Sequence, residues 1–187
     1  SGVMGSTPAT SGQGKYWIAA ADGTAIYNGE LVRITAGYVV TAQAATTNPT
    51  QGVFNGCFYN DATTLKPTWV NYYPGGITPA NSEDIKAYVM DNPFQIYNVV
   101  TDAQIAATVP LSHAKFMETY GMNVSATSGT ASGGRSSATL KVSAGSANTT
   151  NQFRYLGDSE DPSNSDVTAA YATVRVVQNL NELVRNT

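Results

Sequence analysis

The sequence predicts an all-β fold, a compact β-barrel or sandwich of about eight short antiparallel strands. Val outnumbers Leu 17 to 7 and the chain contains 11 Tyr, and such β-branched and aromatic residues favour a pleated, half-buried surface. Short segments that alternate polar and apolar residues are separated by clusters of Gly, Pro, Asn and Ser. No segment has a convincing helical period, and no regular repeat indicates a propeller or a solenoid.

The chain is predicted to consist of an extended or flexible N-terminal arm, residues 1–24, and a single all-β domain, residues 25–187. The first 14 residues read SGVMGSTPATSGQG and have no periodic apolar face. Such a segment either stays disordered or becomes ordered on a partner, and the sequence leaves both alternatives open.

The first strands of the domain are predicted from turn signals. Residues 31–34 and 38–42 flank Ala36-Gly37, which is a hairpin pattern. Residues 52–60 form the next predicted strand, in which Gly56 indicates a bulge or a close approach of another backbone. Residues 61–82 are interpreted as a long irregular loop, or as a strand followed by one.

The clearest β pattern lies in residues 84–100. Apolar and polar residues alternate on both sides of Asp91-Asn92-Pro93, so the sequence predicts a second hairpin. Residues 101–109 are compatible with one short helical turn. Further strands are predicted at residues 138–142, 152–156 and 171–178, with turn-rich segments at 125–137 and 143–150 and an acidic loop at 157–166.

Composition excludes several classes of function. Charged residues make up 12% of the chain, about half the usual share, and the net charge is −3. The ten Lys and Arg are scattered, so no nucleic-acid partner is expected. No apolar run approaches the roughly 18 residues of a membrane span, so no membrane partner is expected. One His and one Cys are too few for a closed zinc site or an intrachain disulfide.

No reaction centre can be assembled from these residues. His113 follows Ser112 without a G-x-S-x-G motif, and Cys57 lies in an apolar strand, where a small buried hydrophobe is expected. The acidic loop is interpreted as solvated, with a calcium site as the alternative; its carboxylates are Asp158, Glu160, Asp161 and Asp166. We therefore predict no catalytic residue, no cofactor and no metal, and expect a protein that is not an enzyme and acts by contact.

Five aromatic residues are the candidates for that contact: Tyr16, Trp17, Trp69, Tyr72 and Tyr73. Trp and Tyr are favoured in protein interfaces, but they also stack on sugars and fill cores, and the sequence leaves these alternatives open.

Several segments resemble a family of capsid-associated proteins of tailed bacteriophages, known as decoration, cement or head-stabilisation proteins. They are G-V-F-N-G-C-F-Y at 52–59, A-Y-V-M-D-N-P-F-Q-I-Y at 87–97, G-R-S-S-A-T-L at 134–140, Q-F-R-Y-L-G at 152–157 and V-R-V-V-Q-N-L-N-E-L at 174–183. The resemblance covers residues 25–184 and consists of strands and turns. The N-terminal arm has no clear counterpart in the family.

The resemblance implies a structural virion protein, made in the bacterial host cytoplasm and located on the capsid exterior. It implies that the protein binds the major capsid protein and bridges its neighbouring subunits. It also implies a homo-oligomer, because symmetric oligomers match lattice sites, and a trimer is favoured over a dimer. It implies no catalytic residue. The alternative function is a carbohydrate-binding or adhesin-type β domain of a virion fibre.

Overall fold

The computed structural model describes residues 12–42, 48–123, 129–130, 133–142 and 151–184. The predicted all-β class is confirmed: the described residues form two large antiparallel sheets, of which one is a curled half-barrel, and one two-stranded antiparallel ladder. The strands in chain order are β1 Gly14–Ile18, β2 Leu31–Thr35, β3 Tyr38–Thr41, β4 Gly52–Asn60, β5 Pro67–Val70, β6 Ile85–Met90, β7 Ile96–Val100, β8 Thr119–Asn123, β9 Gly129–Thr130, β10 Arg135–Ser136, β11 Thr139–Lys141, β12 Phe153–Asp158 and β13 Thr173–Gln178. Helical structure in the described residues is confined to a 3₁₀ turn, Ala80–Ser82, and one α-helical turn, α1, Val109–His113.

The chain divides into two compact units, whereas the sequence predicts a single domain over residues 25–187. The first unit comprises residues 1–42, 50–92 and 126–137, and the second comprises residues 43–49, 93–125 and 138–187. Residues 14–18 of the predicted arm lie in a sheet of the first unit as β1, because their alternating side chains complete that sheet. Residues 1–11 lie outside the described part of the chain.

The sheet of the first unit has the strand order β1-β6-β4-β2-β3, and β5 pairs with the free part of β4. Its β2–β3 hairpin turns at Ala36 and Gly37, as predicted, and both residues have positive φ (51° and 88°), which matches the right-handed twist of a two-residue hairpin. The pairing of β4 with β6 shifts register between Phe54 and Gly56, which confirms the predicted bulge.

One face of this sheet forms the core of the first unit. The predicted alternation in β6 is confirmed, since Ile85, Ala87 and Val89 are fully buried and the residues between them are not. Together with these three, the core cluster contains Ile18, Ile26, Val32, Val39, Phe54, Cys57 and Tyr73. Because successive side chains of a strand point to opposite faces, the intervening residues form an outer face.

The second unit contains a sheet with the order β11-β8-β12-β13-β7. Its buried side chains include Tyr120, Leu140, Phe153, Tyr155, Val174 and Val176. Strand β8 was not predicted, because Thr-Tyr-Gly-Met-Asn lacks a clear alternation of polar and apolar residues. Of the regions predicted as turns, residues 143–150 lie outside the described residues.

Two predictions are wrong. Strands β6 and β7 both exist, but they do not form a hairpin: β6 pairs with β1 and β4, and β7 pairs with β13. The two strands belong to different sheets because each pairs with the strands beside which its apolar side chains are buried in the core of its own unit. The helical turn expected within residues 101–109 is also wrong, since the helix begins only at Val109, where Pro110 occupies its first turn.

Candidate functional site

The most distinctive surface of the first unit is a row of aromatic and basic side chains across four strands. Trp17 of β1 is paired with Lys86 of β6, Lys86 is paired with Phe58 of β4, and Phe58 is paired with Trp69 of β5. Side chains of directly paired residues lie on the same face of a sheet. Two further residues, Lys15 and Tyr88, are paired with each other one step along the same face. The aromatic face therefore consists of Lys15, Trp17, Phe58, Trp69, Lys86 and Tyr88.

The opposite face of the same strands explains why Tyr16 is not part of this row. Its Cα partner is Ala87, which in turn pairs with Cys57, and all three pack into or against the core. The Tyr16 hydroxyl donates to Asp91 Oδ2 at 2.6 Å and accepts from Gln51 Nε2 at 2.6 Å. Tyr16 is thus a partly buried structural residue, while its neighbour Trp17 faces outward.

Both tryptophans of the chain lie on the aromatic face and are accessible. The exposed fraction is 38% for Trp17 and 50% for Trp69. The Trp69 ring packs at 5.2 Å from the Tyr88 ring, with 57° between the planes. Three strand spacings separate the positions of Trp17 and Trp69, so their Cα atoms lie about 14 Å apart.

The two lysines of this face contact rings rather than carboxylates. Lys15 Nζ lies 5.6 Å from the centre of the Trp17 ring, and Lys86 Nζ lies 5.5 Å from that of Phe58. Among the described residues, neither ammonium forms a salt bridge. The four strands β1, β4, β5 and β6 contain no Asp or Glu. These cation–π contacts hold both lysines against the face.

A groove opens at the Trp17 end of the face, with a cavity volume of about 530 Å³. This Trp17 groove is lined by Trp17, Tyr38, Glu83, Asp84, Lys86 and the turn at residues 36–37. Asp84 is held in place, since Oδ1 accepts from the Ala20 amide at 3.3 Å and Oδ2 accepts from the Tyr38 hydroxyl at 3.1 Å. The hydrogen bond to Asp84 raises the pKa of Tyr38, so the phenol remains a donor. The groove combines an indole, two carboxylates and an ammonium.

The two remaining predicted contact residues, Tyr72 and Tyr73, pack against other residues of the first unit. Tyr73 is completely buried, and its hydroxyl donates to the Asp22 carbonyl at 2.5 Å, so its side chain is not available to a partner. Tyr72 is half-buried; its ring stacks on Tyr27 at 5.9 Å and lies against the backbone of Gly134. The accessible contact residues from the sequence are therefore Trp17 and Trp69.

Sequence reasoning missed the residues between the two tryptophans: Phe58, Lys86 and Tyr88. The signal was present within β6, where the alternation that buries Ile85 and Ala87 also turns Lys86 and Tyr88 outward. What the sequence did not provide was the register that aligns β6 with β1 and β4.

The second unit presents a different surface around α1. Four large apolar side chains between residues 109 and 117 are exposed: Val109, Leu111, Phe116 and Met117. We call this set the apolar ridge. The Met117 amide donates to the Tyr155 carbonyl at 2.9 Å, and the Tyr155 amide donates to the Glu118 carbonyl at 2.9 Å. Backbone hydrogen bonds to β12 therefore anchor the C-terminal end of the ridge, at Met117.

The Ser112–His113 pair does not have the geometry of a nucleophile and its base. Ser112 is buried and its hydroxyl donates to the Val109 carbonyl at 2.7 Å, whereas His113 is exposed. His113 lines a cleft of about 480 Å³ with Phe116, Tyr155, Asp158 and Arg175. The Arg175 guanidinium has two partners within this unit: Nε donates to the Asp158 carbonyl at 2.8 Å, and Nη2 forms an ion pair with Glu160 at 3.1 Å.

The thiol of Cys57 is buried in the core of the first unit, as predicted. Burial raises its pKa to about 12, so the thiolate is not populated near neutral pH.

The carboxylates of the acidic loop are directed to separate local partners. Asp161 accepts from the Ser163 amide at 2.9 Å, and Asp166 accepts from the Thr168 hydroxyl at 2.6 Å. These hydrogen bonds lower the pKa of both carboxyls. Within the part of the chain that the structure describes, no three His, Cys, Asp or Glu side chains are placed to hold a metal ion.

Comparisons with known proteins do not assign a family. No protein-family model, no curated protein and no solved structure matches this chain. Among the described helical segments, none is long and apolar enough to cross a membrane.

Proposed function

We propose that this chain is a non-enzymatic structural protein of a bacteriophage virion. It binds the outer surface of the capsid and stabilises the shell by bridging major capsid protein subunits. The proposal joins the sequence resemblance to decoration proteins with one structural observation, the exposed and fixed apolar ridge of the second unit.

The apolar ridge has the character of a contact surface. Its four side chains, Val109, Leu111, Phe116 and Met117, are exposed within nine consecutive residues, and concentrated exposed apolar groups are a mark of interaction sites. The hydrogen bonds that join Met117 and Glu118 to Tyr155 anchor the C-terminal end of this segment in the absence of a partner. Such a preformed surface loses little conformational entropy on binding, which favours affinity.

Polar groups beside the ridge suit the rim of an interface. The cleft next to Phe116 contains His113, Asp158 and Arg175, and interfaces commonly surround an apolar centre with polar residues. Charged residues make up only 12% of the whole chain, which is consistent with a protein that contacts other chains over much of its surface.

Shell stabilisation then follows from binding linkage. A protein that binds the assembled shell but not the free subunits stabilises the assembled state by RT ln(1 + c/Kd) for each site, where c is its free concentration. A homo-oligomer, with a trimer favoured, engages several lattice sites at once, and each added contact raises the overall affinity without a new kind of interaction.

Co-sedimentation with expanded, undecorated capsids of the cognate phage tests this proposal. The wild-type protein should pellet and saturate at a copy number set by the lattice. A Leu111→Ser/Phe116→Ser double variant should lose about tenfold or more in affinity, since it removes two apolar contacts. The matched control is Tyr171→Ser, which alters another exposed large side chain of the same unit outside the ridge. Failure of the wild type to pellet on any such capsid overturns the function, and an unaffected double variant removes the ridge from the proposal.

A further inference from the structure

We propose that the aromatic face and the Trp17 groove together form a binding site for an extended, uncharged polysaccharide. This inference does not depend on capsid binding, because it rests on the first unit alone. The ligand would lie across the strands, from the groove at Trp17 toward Trp69.

The rings of the face supply stacking surfaces. Trp17 and Trp69 are the accessible ends of the row, and Phe58 lies between them in the paired register. The apolar CH faces of pyranose rings pack on indole and phenyl rings by the same burial that favours aromatic contacts elsewhere. A separation of about 14 Å between the two tryptophan positions suits a chain of several sugar units rather than a single sugar.

The lysines argue against a protein surface as the partner. Lys86 lies in the centre of the row, between Trp17 and Phe58, and neither Lys86 nor Lys15 forms a salt bridge with any described carboxylate. Lys is depleted from the buried centres of protein interfaces, where an unpaired ammonium would lose its hydration. A hydrated polysaccharide leaves the ammonium solvated and offers it hydroxyl oxygens as acceptors.

The Trp17 groove supplies the complementary acceptors. Glu83 and Asp84 line the groove together with the Tyr38 phenol, and carboxylates accept hydrogen bonds from sugar hydroxyls. Asp84 is already oriented by Ala20 and Tyr38, so this wall of the groove is preformed. A cavity of about 530 Å³ lies in the range of small-ligand sites.

The balance of charges defines the class of ligand. Lys15 and Lys86 offset Glu83 and Asp84 in charge, and because Lys86 lines both the face and the groove, the groove itself carries one net negative charge. An anionic polysaccharide would be repelled at the groove, and a cationic one would be repelled along the row. A neutral, hydroxyl-rich chain is repelled by neither the lysines nor the carboxylates and can form hydrogen bonds with both.

Intrinsic fluorescence is a direct probe, because both tryptophans of the protein lie on this face. The purified full chain would be titrated with cellohexaose, fully N-acetylated chitohexaose, mannohexaose and laminarihexaose, and also with polygalacturonate and heparin as anionic probes. Binding to at least one neutral oligosaccharide should shift or quench the emission. The same protein would be tested by affinity electrophoresis in gels that contain soluble neutral glucans or mannans.

Variants separate stacking from folding. Trp17→Ala and Trp69→Ala should each weaken retardation by about tenfold, and Trp17→Phe and Trp69→Phe should keep most of it because a ring remains. Tyr171→Ala, which removes an exposed aromatic ring of the second unit, is the control and should not change binding. Circular dichroism and melting temperature verify that each variant is folded.

Three results would overturn the proposal: no binding to any neutral polysaccharide, binding confined to the anionic probes, or binding that folded Trp→Ala variants retain. The second result would indicate that the lysines dominate the face, and the third would place the ligand elsewhere on the molecule.

Discussion

The indole of Trp69 covers the backbone of Gly56. A Cβ added at Gly56 would lie 2.6 Å from Trp69 Cζ2 and 2.8 Å from the Val70 carbonyl oxygen, and Gly56 has φ +142°. The glycine that forms the bulge in β4 therefore also makes room for one end of the aromatic face. The bulge in β4 and the position of the Trp69 ring on the aromatic face therefore both depend on Gly56.

Gly56→Ala is expected to lower the free energy of unfolding by about 1–3 kcal/mol, because the added methyl group has no space and the backbone conformation disfavours a side chain. The tryptophan emission should also change, since the Trp69 ring has to move. Urea denaturation followed by fluorescence measures both effects. Gly76→Ala is the control for backbone strain alone, because Gly76 also has positive φ but nothing lies within 4 Å of its added Cβ. Equal losses in the two variants would contradict the steric explanation.

Glu30 provides a pH-dependent contribution to stability. Its side chain is 3% exposed, Oε2 accepts from the Tyr27 amide at 2.8 Å, and burial raises the pKa from 4.5 to about 7. The folded protein binds this proton more tightly than the unfolded chain. The contribution to stability is therefore complete below about pH 4.5 and is lost as the pH rises through about 7.

Glu30→Gln should remove this dependence while keeping a side-chain acceptor for Tyr27. The difference in unfolding free energy between the variant and the wild type should grow in favour of the variant from pH 4.5 to pH 8, by an amount on the order of 3 kcal/mol. Urea denaturation of both proteins at several pH values gives that difference directly. A difference that is constant with pH would show that Glu30 titrates near its ordinary value.

Cys57 should be unreactive in the folded protein. The thiol is completely buried and its pKa is raised to about 12, and thiol reagents attack the thiolate. A chromogenic disulfide reagent at pH 8 should react with one equivalent of thiol only after denaturant is added. Rapid reaction without denaturant would mean that β4 opens locally on the timescale of the assay.

Strand β1 sets the limit to which the chain can be shortened from its N-terminus. Removal of residues 1–11 leaves β1 intact and should keep the melting temperature, whereas removal of residues 1–18 also deletes Ile18, which is fully buried, and exposes the β6 edge. We expect the longer truncation to cost several kcal/mol of stability or to prevent folding. Thermal unfolding of both truncated proteins measures this difference, and equal melting temperatures would contradict it.

The shorter truncation distinguishes the two alternatives that the sequence leaves open for the first residues of the chain, disorder or ordering on a partner. If the arm lies along neighbouring capsid subunits, the protein lacking residues 1–11 should bind expanded capsids more weakly and protect them less against disruption. Unchanged binding would confine shell attachment to residues 12–187.

Much of the strand content could be predicted from local patterns. The alternation in residues 85–90, the turn at Ala36-Gly37 and the bulge at Gly56 each depend on a few neighbouring residues, so their physical cause is present in the sequence itself. The inert environment of Cys57 was also predictable, because an apolar strand with alternating side chains has a buried face.

Pairing and surface composition were decided only by the tertiary structure. Residues 85–100 contain two strands and a turn signal, yet β6 and β7 lie in different sheets, because long-range core packing selects strand partners and a local pattern does not. For the same reason Tyr73 is in the core while Trp69, four residues earlier, is exposed. Trp17, Lys86, Phe58 and Trp69 form one row because register aligns four strands that are distant in the chain, and no local pattern specifies that register.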